Sequence, residues 1–270
     1  MLPFLQVKQI PLTDIQLGEL LGSGTFGAVY QGTWKSKQGK RIAVKKILHT
    51  PGTSMPEDVT TLQSLPQHPH IITYFGIAHS EDAVYIITEF APKGSLYDRL
   101  YKKEEKPTFE QSHDWAWQIA HGMEHLHEHN IIHRDLKSAN VLLCIGNVAK
   151  IADFGTARYL DHTTQQTDVK GTYRWMSPEV MEDVEARINQ KCDVYSYGMV
   201  LYELFEHQIP FHDKSKFLIP GLVLAGERPN IACSLPPYLK QLMLACWKPN
   251  SQERPTFAAI AIALETNIFK

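Results

Sequence analysis

Two kinds of hydrophobic pattern divide the 270 residues of this chain near residue 90. Before that point, short runs alternate apolar with polar residues or are rich in β-branched and aromatic residues, and glycine-containing turns separate them. One short segment, 56–65, instead repeats its apolar residues every third position between two prolines, which predicts a helix. The predicted strands are 14–24, 27–36, 41–48, 72–80 and 83–90.

After residue 95, apolar residues recur every three or four positions, which indicates helices. The run at 191–207 is apolar nearly all round, as expected of a buried helix. The chain is therefore expected to be a small β-rich part followed by a large helical part. The predicted helices are 109–129, 191–207, 235–247 and 255–269.

Composition argues against several classes of protein. Lys and Arg total 27 and Asp and Glu total 29, and a net charge of −2 offers no basic surface for nucleic acid or an anionic membrane. No run approaches the roughly 18 apolar residues of a transmembrane helix, and the first residues lack the pattern of a signal peptide. The four cysteines form no CxxC pair, so we expect reduced thiols and a cytoplasmic location.

A glycine-rich turn, LGSGTFGAV, lies between the first two predicted strands and spaces Gly22, Gly24 and Gly27 as GxGxxG, with Val29 following. A dinucleotide-binding fingerprint requires a helix after the glycines, whereas a strand is predicted here. A strand–loop–strand hairpin of this kind covers nucleotide phosphates, because glycines let backbone amides approach phosphate oxygens. Lys45, in the third strand, is then placed to hold the α- and β-phosphates.

The stretch IIHRDLKSANVLL places a polar loop between two apolar runs. Charged groups so placed are costly without partners, which disfavours a plain surface turn. The loop matches H-R-D-L-x-x-x-N. Asp135 is predicted to accept the proton of a substrate hydroxyl, Lys137 to stabilise the moving phosphoryl group, and Asn140 to hold Mg²⁺.

Two further motifs follow. Asp153 begins the D-F-G of KIADFGTAR and is predicted to chelate Mg²⁺, because a hard cation prefers carboxylate oxygens. GTYRWMSPE ends with Ser177-Pro178-Glu179 where A-P-E is usual. With the motifs in this order and spacing, the chain resembles a eukaryotic protein kinase over nearly its entire length.

The resemblance implies an α+β, bilobal fold. An N-lobe of about residues 1–90 would hold a five-stranded antiparallel sheet plus one helix, a hinge would lie at about 89–94, and a mainly α-helical C-lobe would fill about 95–270. ATP and Mg²⁺ would bind between the lobes, with Thr88 as gatekeeper and backbone groups of Glu89 and Ala91 bonded to adenine. The implied nucleotide-binding residues are Leu21, Gly22, Gly24, Gly27, Val29, Ala43, Lys45, Thr88, Glu89, Ala91 and Leu142, and the implied metal ligands are Asn140 and Asp153.

The resemblance also implies supporting contacts. Glu179 would pair with Arg254, and Asp193 would brace the catalytic loop from the buried helix. A spine of side chains would connect the two lobes through stacked contacts. Its implied members are Leu62, Tyr74, His133 and Phe154.

Protein kinases pair the strand lysine with an acid of the helix at 56–65, and this chain offers two adjacent acids. Asp58 lies one turn before Leu62, so both face the same side of the helix. Glu57 lies about 100° away and suits a first-turn acid that favours the helix dipole. Asp58 is therefore the predicted partner of Lys45, with Glu57 as the alternative.

Features of two kinase classes are mixed in this chain. Lys137 and Thr172 are typical of serine/threonine specificity, whereas WMSPE, DVYSYG and CWKPNSQERPTF resemble tyrosine kinases. The blend is similar to mixed-lineage kinases of the tyrosine-kinase-like group, above all those with a leucine zipper and a SAM domain, then the dual-leucine-zipper kinases. It implies a MAP kinase kinase kinase acting on MAP kinase kinases, with any dimer formed through segments absent from this chain. A pseudokinase or a tyrosine kinase is the alternative.

Two sets of residues complete the predictions. The segment 158–172 would be the activation loop, in which a phosphate would pair with Arg134 and order the loop. The candidate sites for this phosphate are, in order of preference, Thr167, Thr164 and Thr163.

Three histidines, His121, His125 and His129, stand at i, i+4 spacing. A polar helix face is favoured over a metal site, because no HExxH accompanies them.

Overall fold

The computed structural model describes residues 8–24, 27–48, 56–103, 106–159, 173–182, 189–231 and 234–269. Five antiparallel strands form one sheet in the order β1-β2-β3-β5-β4. One helix, α1 (Glu57–Ser64), lies between β3 and β4 along the chain, and the predicted strands and helix are confirmed. The strands are β1 (Ile15–Gly24), β2 (Gly27–Trp34), β3 (Lys40–Leu48), β4 (Tyr74–His79) and β5 (Ala83–Glu89).

The alternation of side chains along β5 shows how this sheet is covered on both faces. Val84 and Ile86 pack with Leu62 of α1 in the large core, whereas Tyr85 and Ile87 pack on the opposite face of the sheet. Because successive side chains of a strand point to opposite faces, a continuous apolar run is buried on both sides. This run agrees with the interior position of β5, between β3 and β4.

The rest of the chain is mainly helical, which confirms the α+β class. Four long helices agree with the predicted segments, while three helices of six residues or fewer were not predicted. A helix of fewer than two turns is too short to show a 3.6-residue period. The helices are α2 (Leu96–Tyr101), α3 (Phe109–Glu128), α4 (Pro178–Glu182), α5 (Lys191–Glu206), α6 (Ile219–Leu224), α7 (Pro237–Cys246) and α8 (Phe257–Thr266).

The predicted burial of α5 is confirmed. Thirteen of its 16 residues are buried, and it packs between α3 and α7. A Cβ on Gly198 would lie 2.5 Å from Nε1 of Trp247, so glycine is needed for this close approach. Within the described ranges, no helix is long and apolar enough to cross a lipid bilayer.

Two pairs of short strands connect the helices to the site. Strand β6 (Ile131–Ile132) pairs with β9 (Arg158–Tyr159), and β7 (Val141–Leu143) pairs with β8 (Ala149–Ile151). The polar loop between β6 and β7 and the D-F-G motif after β8 are thereby held side by side.

His121 and His125 of α3, and His129, which caps its end, each have a partner from the protein. His121 contacts Glu124 and Glu265, His125 contacts the carbonyl oxygen of Pro66, and His129 contacts that of His125. Among the described residues, no three His, Cys, Asp or Glu side chains converge on a metal position.

Candidate active site

A cavity of about 710 Å³ lies between the sheet and the helical part. Of the residues implied for nucleotide and metal binding, every one except Glu89 lines it. The strands of the sheet and the β7 region contribute its two walls. The lining residues from that implied set are Leu21, Gly22, Gly24, Gly27, Val29, Ala43, Lys45, Thr88, Ala91, Asn140, Leu142 and Asp153.

The three glycines of the first turn differ in what they permit. Gly27 has a φ of +116°, and a Cβ on it would overlap the carbonyl oxygen of Lys46. Gly22 and Gly24 have open space where a Cβ would stand. The hairpin itself therefore requires Gly27, whereas the other two keep space clear along the cavity.

Glu89 faces away from the cavity. Its carboxylate accepts hydrogen bonds from N and Oγ1 of Thr73, both at 2.7 Å, and from Nζ of Lys150 at 2.5 Å. Burial raises the pKa of Glu89, but the bonds from Lys150 and Thr73 outweigh it and the pKa is lowered. Its backbone N–H donates to the carbonyl oxygen of Thr73, so only its carbonyl remains for a ligand.

Lys45 and Asp153 meet in the cavity although 108 positions separate them. Nζ of Lys45 lies 2.8 Å from Oδ1 of Asp153. Burial raises the pKa of Asp153, but the charge and hydrogen bond of Lys45 outweigh it, so the pKa is lowered. Asp153 has a φ of +62°, a strained conformation of the kind that clusters at functional sites.

The polar loop between β6 and β7 positions Asp135. Its Oδ2 accepts hydrogen bonds from Nζ of Lys137 at 2.7 Å and from Nδ2 of Asn140 at 2.9 Å. Nδ2 of Asn140 also donates to the backbone carbonyl of Asp135. Because that amide nitrogen is used, Oδ1 of Asn140 is the atom left to act as a ligand.

Asp193 braces this loop from α5, as predicted. The carboxylate is fully buried and accepts hydrogen bonds from the backbone N–H groups of His133 and Arg134, at 2.9 and 2.8 Å. Nε2 of His127 lies 2.9 Å from the same carboxylate. Burial raises the pKa of Asp193, but the hydrogen bond of His127 helps to lower it overall. Arg134 has a φ of +68°, and Asp193 stabilises this unusual backbone.

Part of the implied spine is present. The rings of His133 and Phe154 meet edge to face at 5.4 Å, which confirms that contact. Leu62 and Phe154 both line the cavity, and Tyr74 packs against the same core. The contact shown within the implied spine is therefore that of His133 with Phe154.

The predicted pair of Glu179 and Arg254 is confirmed. Two nitrogens of Arg254 lie 2.7 and 2.8 Å from the two carboxylate oxygens, a bidentate arrangement. Arg254 is 2% exposed and also donates to three backbone carbonyls. The pair fixes α4, which begins within the W-M-S-P-E motif, to the segment that precedes α8.

Sequence reasoning missed Glu203 on α5. Its buried carboxylate accepts hydrogen bonds from Oγ of Ser138 at 2.6 Å, Nε1 of Trp175 at 2.7 Å and the hydroxyl of Tyr101 at 3.1 Å. It thus joins the polar loop to the W-M-S-P-E motif. An acid inside an apolar helical run was the available signal.

Glu203 should make stability depend on pH. Burial raises its pKa from 4.5 to about 7, so the native state holds an extra proton and stability falls as pH rises between these values. Glu203→Gln does not titrate. Between pH 5 and pH 8 its free energy of unfolding should therefore rise relative to wild type by about 2–3 kcal/mol, measured by urea denaturation. A difference that stays constant between the two pH values would contradict this.

The predicted partner of Lys45 and the predicted phosphorylation sites lie outside the described residues. Helix α1 begins at Glu57 as expected, but the side chains of Glu57 and Asp58 lie outside the described residues. Thr163, Thr164 and Thr167 also lie outside them.

Comparison with known proteins agrees with this geometry. Residues 15–264 match the family model of protein tyrosine and serine/threonine kinases. Similar curated proteins include a mitogen-activated protein kinase kinase kinase of Caenorhabditis elegans, zak-1, at 38% identity over 262 residues. Others are mitogen-activated protein kinase kinase kinase 7 of Drosophila melanogaster, at 35%, and the serine/threonine-protein kinase STY46 of Arabidopsis thaliana, at 34%.

These alignments cover 92%, 95% and 96% of this chain. The chain spans 34%, 38% and 45% of the length of the three relatives. The motifs, the cavity and the match over residues 15–264 agree, and the chain therefore belongs to the protein tyrosine and serine/threonine kinase family.

Proposed function

We propose that this chain transfers the γ-phosphoryl group of ATP to serine or threonine hydroxyls of proteins, and that its substrates are MAP kinase kinases. The observation that carries the proposal is the convergence of Lys45 and Asp153 with the Asp135–Asn140 loop on one cavity. Relatives named as mitogen-activated protein kinase kinase kinases and as a serine/threonine-protein kinase support the substrate class.

The residues present fit a Mg²⁺ ion. Asp153 has a lowered pKa and so offers an ionised carboxylate, and Asn140 has its Oδ1 left over; both line the cavity. Hard divalent cations prefer such oxygen ligands. An ion held by Asp153 and Asn140 would supply positive charge that neutralises the phosphates of ATP.

Each side chain of the site would then have its own role in phosphoryl transfer. Lys45 would hold the nucleotide phosphates from the sheet side, oriented by its contact with Asp153. Asp135 would accept the hydrogen bond of the substrate hydroxyl and take its proton, while Lys137, 2.7 Å away, would balance negative charge as the phosphoryl group moves. Catalysis would be chiefly positioning and charge stabilisation.

The test is an assay with labelled ATP and a panel of MAP kinase kinases, with wild type beside Asp135→Asn. Phosphoamino-acid analysis should find phosphoserine and phosphothreonine in wild type only. Phosphotyrosine as the main product would favour the tyrosine-kinase alternative. Nucleotide binding without transfer to any substrate would favour a pseudokinase and overturn the proposal.

We further propose that Asp58 is the acid that pairs with Lys45. The support is its position one turn before Leu62, which lines the cavity. Asp58→Asn should lower turnover strongly, while the adjacent control Glu57→Gln should retain it. The opposite ranking of the two variants would assign the role to Glu57.

Phosphorylation of Thr167, Thr164 or Thr163 remains a proposal for activation, with Arg134 as the phosphate's partner. Mass spectrometry of the activated protein would locate the phosphate.

We also propose a cytoplasmic location, which suits the three described cysteines, all free and buried.

A further inference from the structure

Histidines of two segments cluster where the chain after α1 meets α3. The rings of His68 and His125 are stacked with their centroids 4.7 Å apart, and His70 meets His68 edge to face at 5.5 Å. The ring of His129 lies 4.4 Å from that of His125. A charge on one of these rings would therefore repel a charge on the next. The described titratable groups that face the cluster are His70 of the segment that carries His68, His121, Glu124, His125 and His129 from α3 and its end, Lys150 of β8 and Glu265 of α8.

His68 differs from its neighbours in what its ring nitrogen contacts. Its Nδ1 accepts a hydrogen bond from the backbone N–H of His70 at 3.2 Å. A proton on this nitrogen would remove the hydrogen bond and set two N–H groups against each other. The ring nitrogens of the neighbouring histidines instead lie next to carboxylates, for His121, or next to carbonyl oxygens, in the pairs His70–Ala149, His125–Pro66 and His129–His125.

The turn of residues 68–71, which this hydrogen bond closes, is attached to the strand that leads into the D-F-G motif. The N–H of Ile151 donates to the carbonyl oxygen of His70, and the N–H of Ile72 donates to that of Ile151, both at 2.9 Å. Ile151 is the last residue of β8, and Asp153 follows two positions later. The position of the turn therefore bears on the strand before Asp153.

A second cavity, of about 310 Å³, lies between this turn and the end of α1. His68 lines it. Leu62 and Ile72 line both this cavity and the first one, so they form a shared wall. If the turn opens, Ile72 loses its hydrogen bond to Ile151, and the nucleotide cavity loses the support of that wall.

We propose that a proton on His68 opens this turn, and that nucleotide binding in the neighbouring cavity opposes the opening. The closed turn requires a neutral His68, because Nδ1 must accept a hydrogen bond. In the open turn the ring meets water and takes up a proton as an ordinary histidine does. The opening stands on its own geometry, whereas the opposition by nucleotide rests on the proposed function.

The pH range of the opening follows from the surroundings of His68. Burial, together with His125, His70 and His121, lowers the pKa of His68 from 6.5 to about 4 in the closed turn. In the open turn the pKa returns to about 6.5. Between these two values the open form holds an extra proton, so opening becomes easier as the pH falls. Linkage to one proton raises the opening constant about tenfold between pH 7.5 and pH 5.5.

The test is native-state hydrogen exchange at the amides of Ile71, Ile72 and Ile151, corrected for the intrinsic exchange rate at each pH. These amides donate within the turn or between the turn and β8. His68→Asn is the matched variant, because the asparagine oxygen still accepts the N–H two residues later and does not titrate. Between pH 7.5 and pH 5.5, the opening constant should rise about tenfold more in wild type than in His68→Asn.

Two controls make this result specific. His212→Asn removes an exposed histidine far along the chain and should keep the full rise of wild type. The amide of Leu201, buried in the middle of α5, reports unfolding of the whole chain, and its opening constant should be smaller than that of the turn at both pH values. Lost ring stacking in His68→Asn would change the opening constant equally at both pH values. An equal rise in wild type and His68→Asn, or equal opening constants at the turn and at Leu201, would overturn the proposal.

Nucleotide provides a separate measurement. With a non-hydrolysable ATP analogue and Mg²⁺ at ten times the measured Kd, the opening constant of the turn at pH 5.5 should fall about tenfold, because the open form lacks an intact wall. An unchanged opening constant with the analogue bound would overturn the opposition by nucleotide. A chain that binds no nucleotide would overturn the proposed function, whereas exchange measured without ligand would still decide the opening by a proton.

Discussion

Replacing Asp135 with asparagine is expected to lower the turnover number for phosphoryl transfer by about 10²–10⁴-fold, the usual contribution of a general base. Asparagine has the same size and still accepts from Nζ of Lys137 and Nδ2 of Asn140, so the loop should keep its shape. It lacks the basic oxygen that takes the proton of the hydroxyl. Steady-state kinetics with a phosphorylatable protein would measure the change.

Two comparisons make this result specific. The affinity for ATP should stay near wild type, because Asp135 does not line the cavity. Asp114→Asn, a change of the same kind at an exposed position on α3, should leave turnover unaltered. Equal turnover in Asp135→Asn and wild type would remove Asp135 from the proposed mechanism.

Replacing Arg254 with methionine is expected to lower the free energy of unfolding by about 3–5 kcal/mol, the usual cost of breaking a buried ion pair from one side. The change leaves the carboxylate of Glu179 and three backbone carbonyls without their donor. Chemical denaturation at pH 7 would measure it. Lys248→Met breaks an exposed pair with Glu253 nearby, and should cost less than about 1 kcal/mol.

The effect of Arg254 should also depend on pH. Burial raises the pKa of Glu179, but the hydrogen bond and charge of Arg254 outweigh it, so the pKa lies below 4.5. A carboxyl group whose pKa is lower in the native state stabilises the protein above pH 4.5. This stabilisation is lost as the pH falls through the native pKa. The difference in free energy of unfolding between wild type and Arg254→Met should therefore become smaller under acid conditions. A gap that widens there would contradict the assigned role.

The sequence could predict elements whose pattern is local. Strand alternation, helical period and motif spacing are properties of neighbouring residues, so β1 to β5, α1 and the four long helices were predictable. The orientation of the Glu89 side chain could also be predicted. Thr88 faces the cavity, and the next residue of a strand must face the other side of the sheet. The short helix α2 carried a signal too, a capping box between Ser95 and Asp98.

Contacts between residues that are distant in the sequence were predictable only where the chemistry of the motifs requires them. The motifs predicted that Lys45, Asp135 and Asp153 share a site, because phosphoryl transfer needs those groups together. By itself, then, the sequence determined the five strands of the sheet, α1, the four long helices and the family, and it predicted the chemistry of the site. The tertiary structure alone decided that Glu203 joins Ser138 to Trp175 and that Leu62 lies between two cavities. The physical reason is that burial and hydrogen bonding of a side chain depend on which elements pack around it, and that packing has no local period.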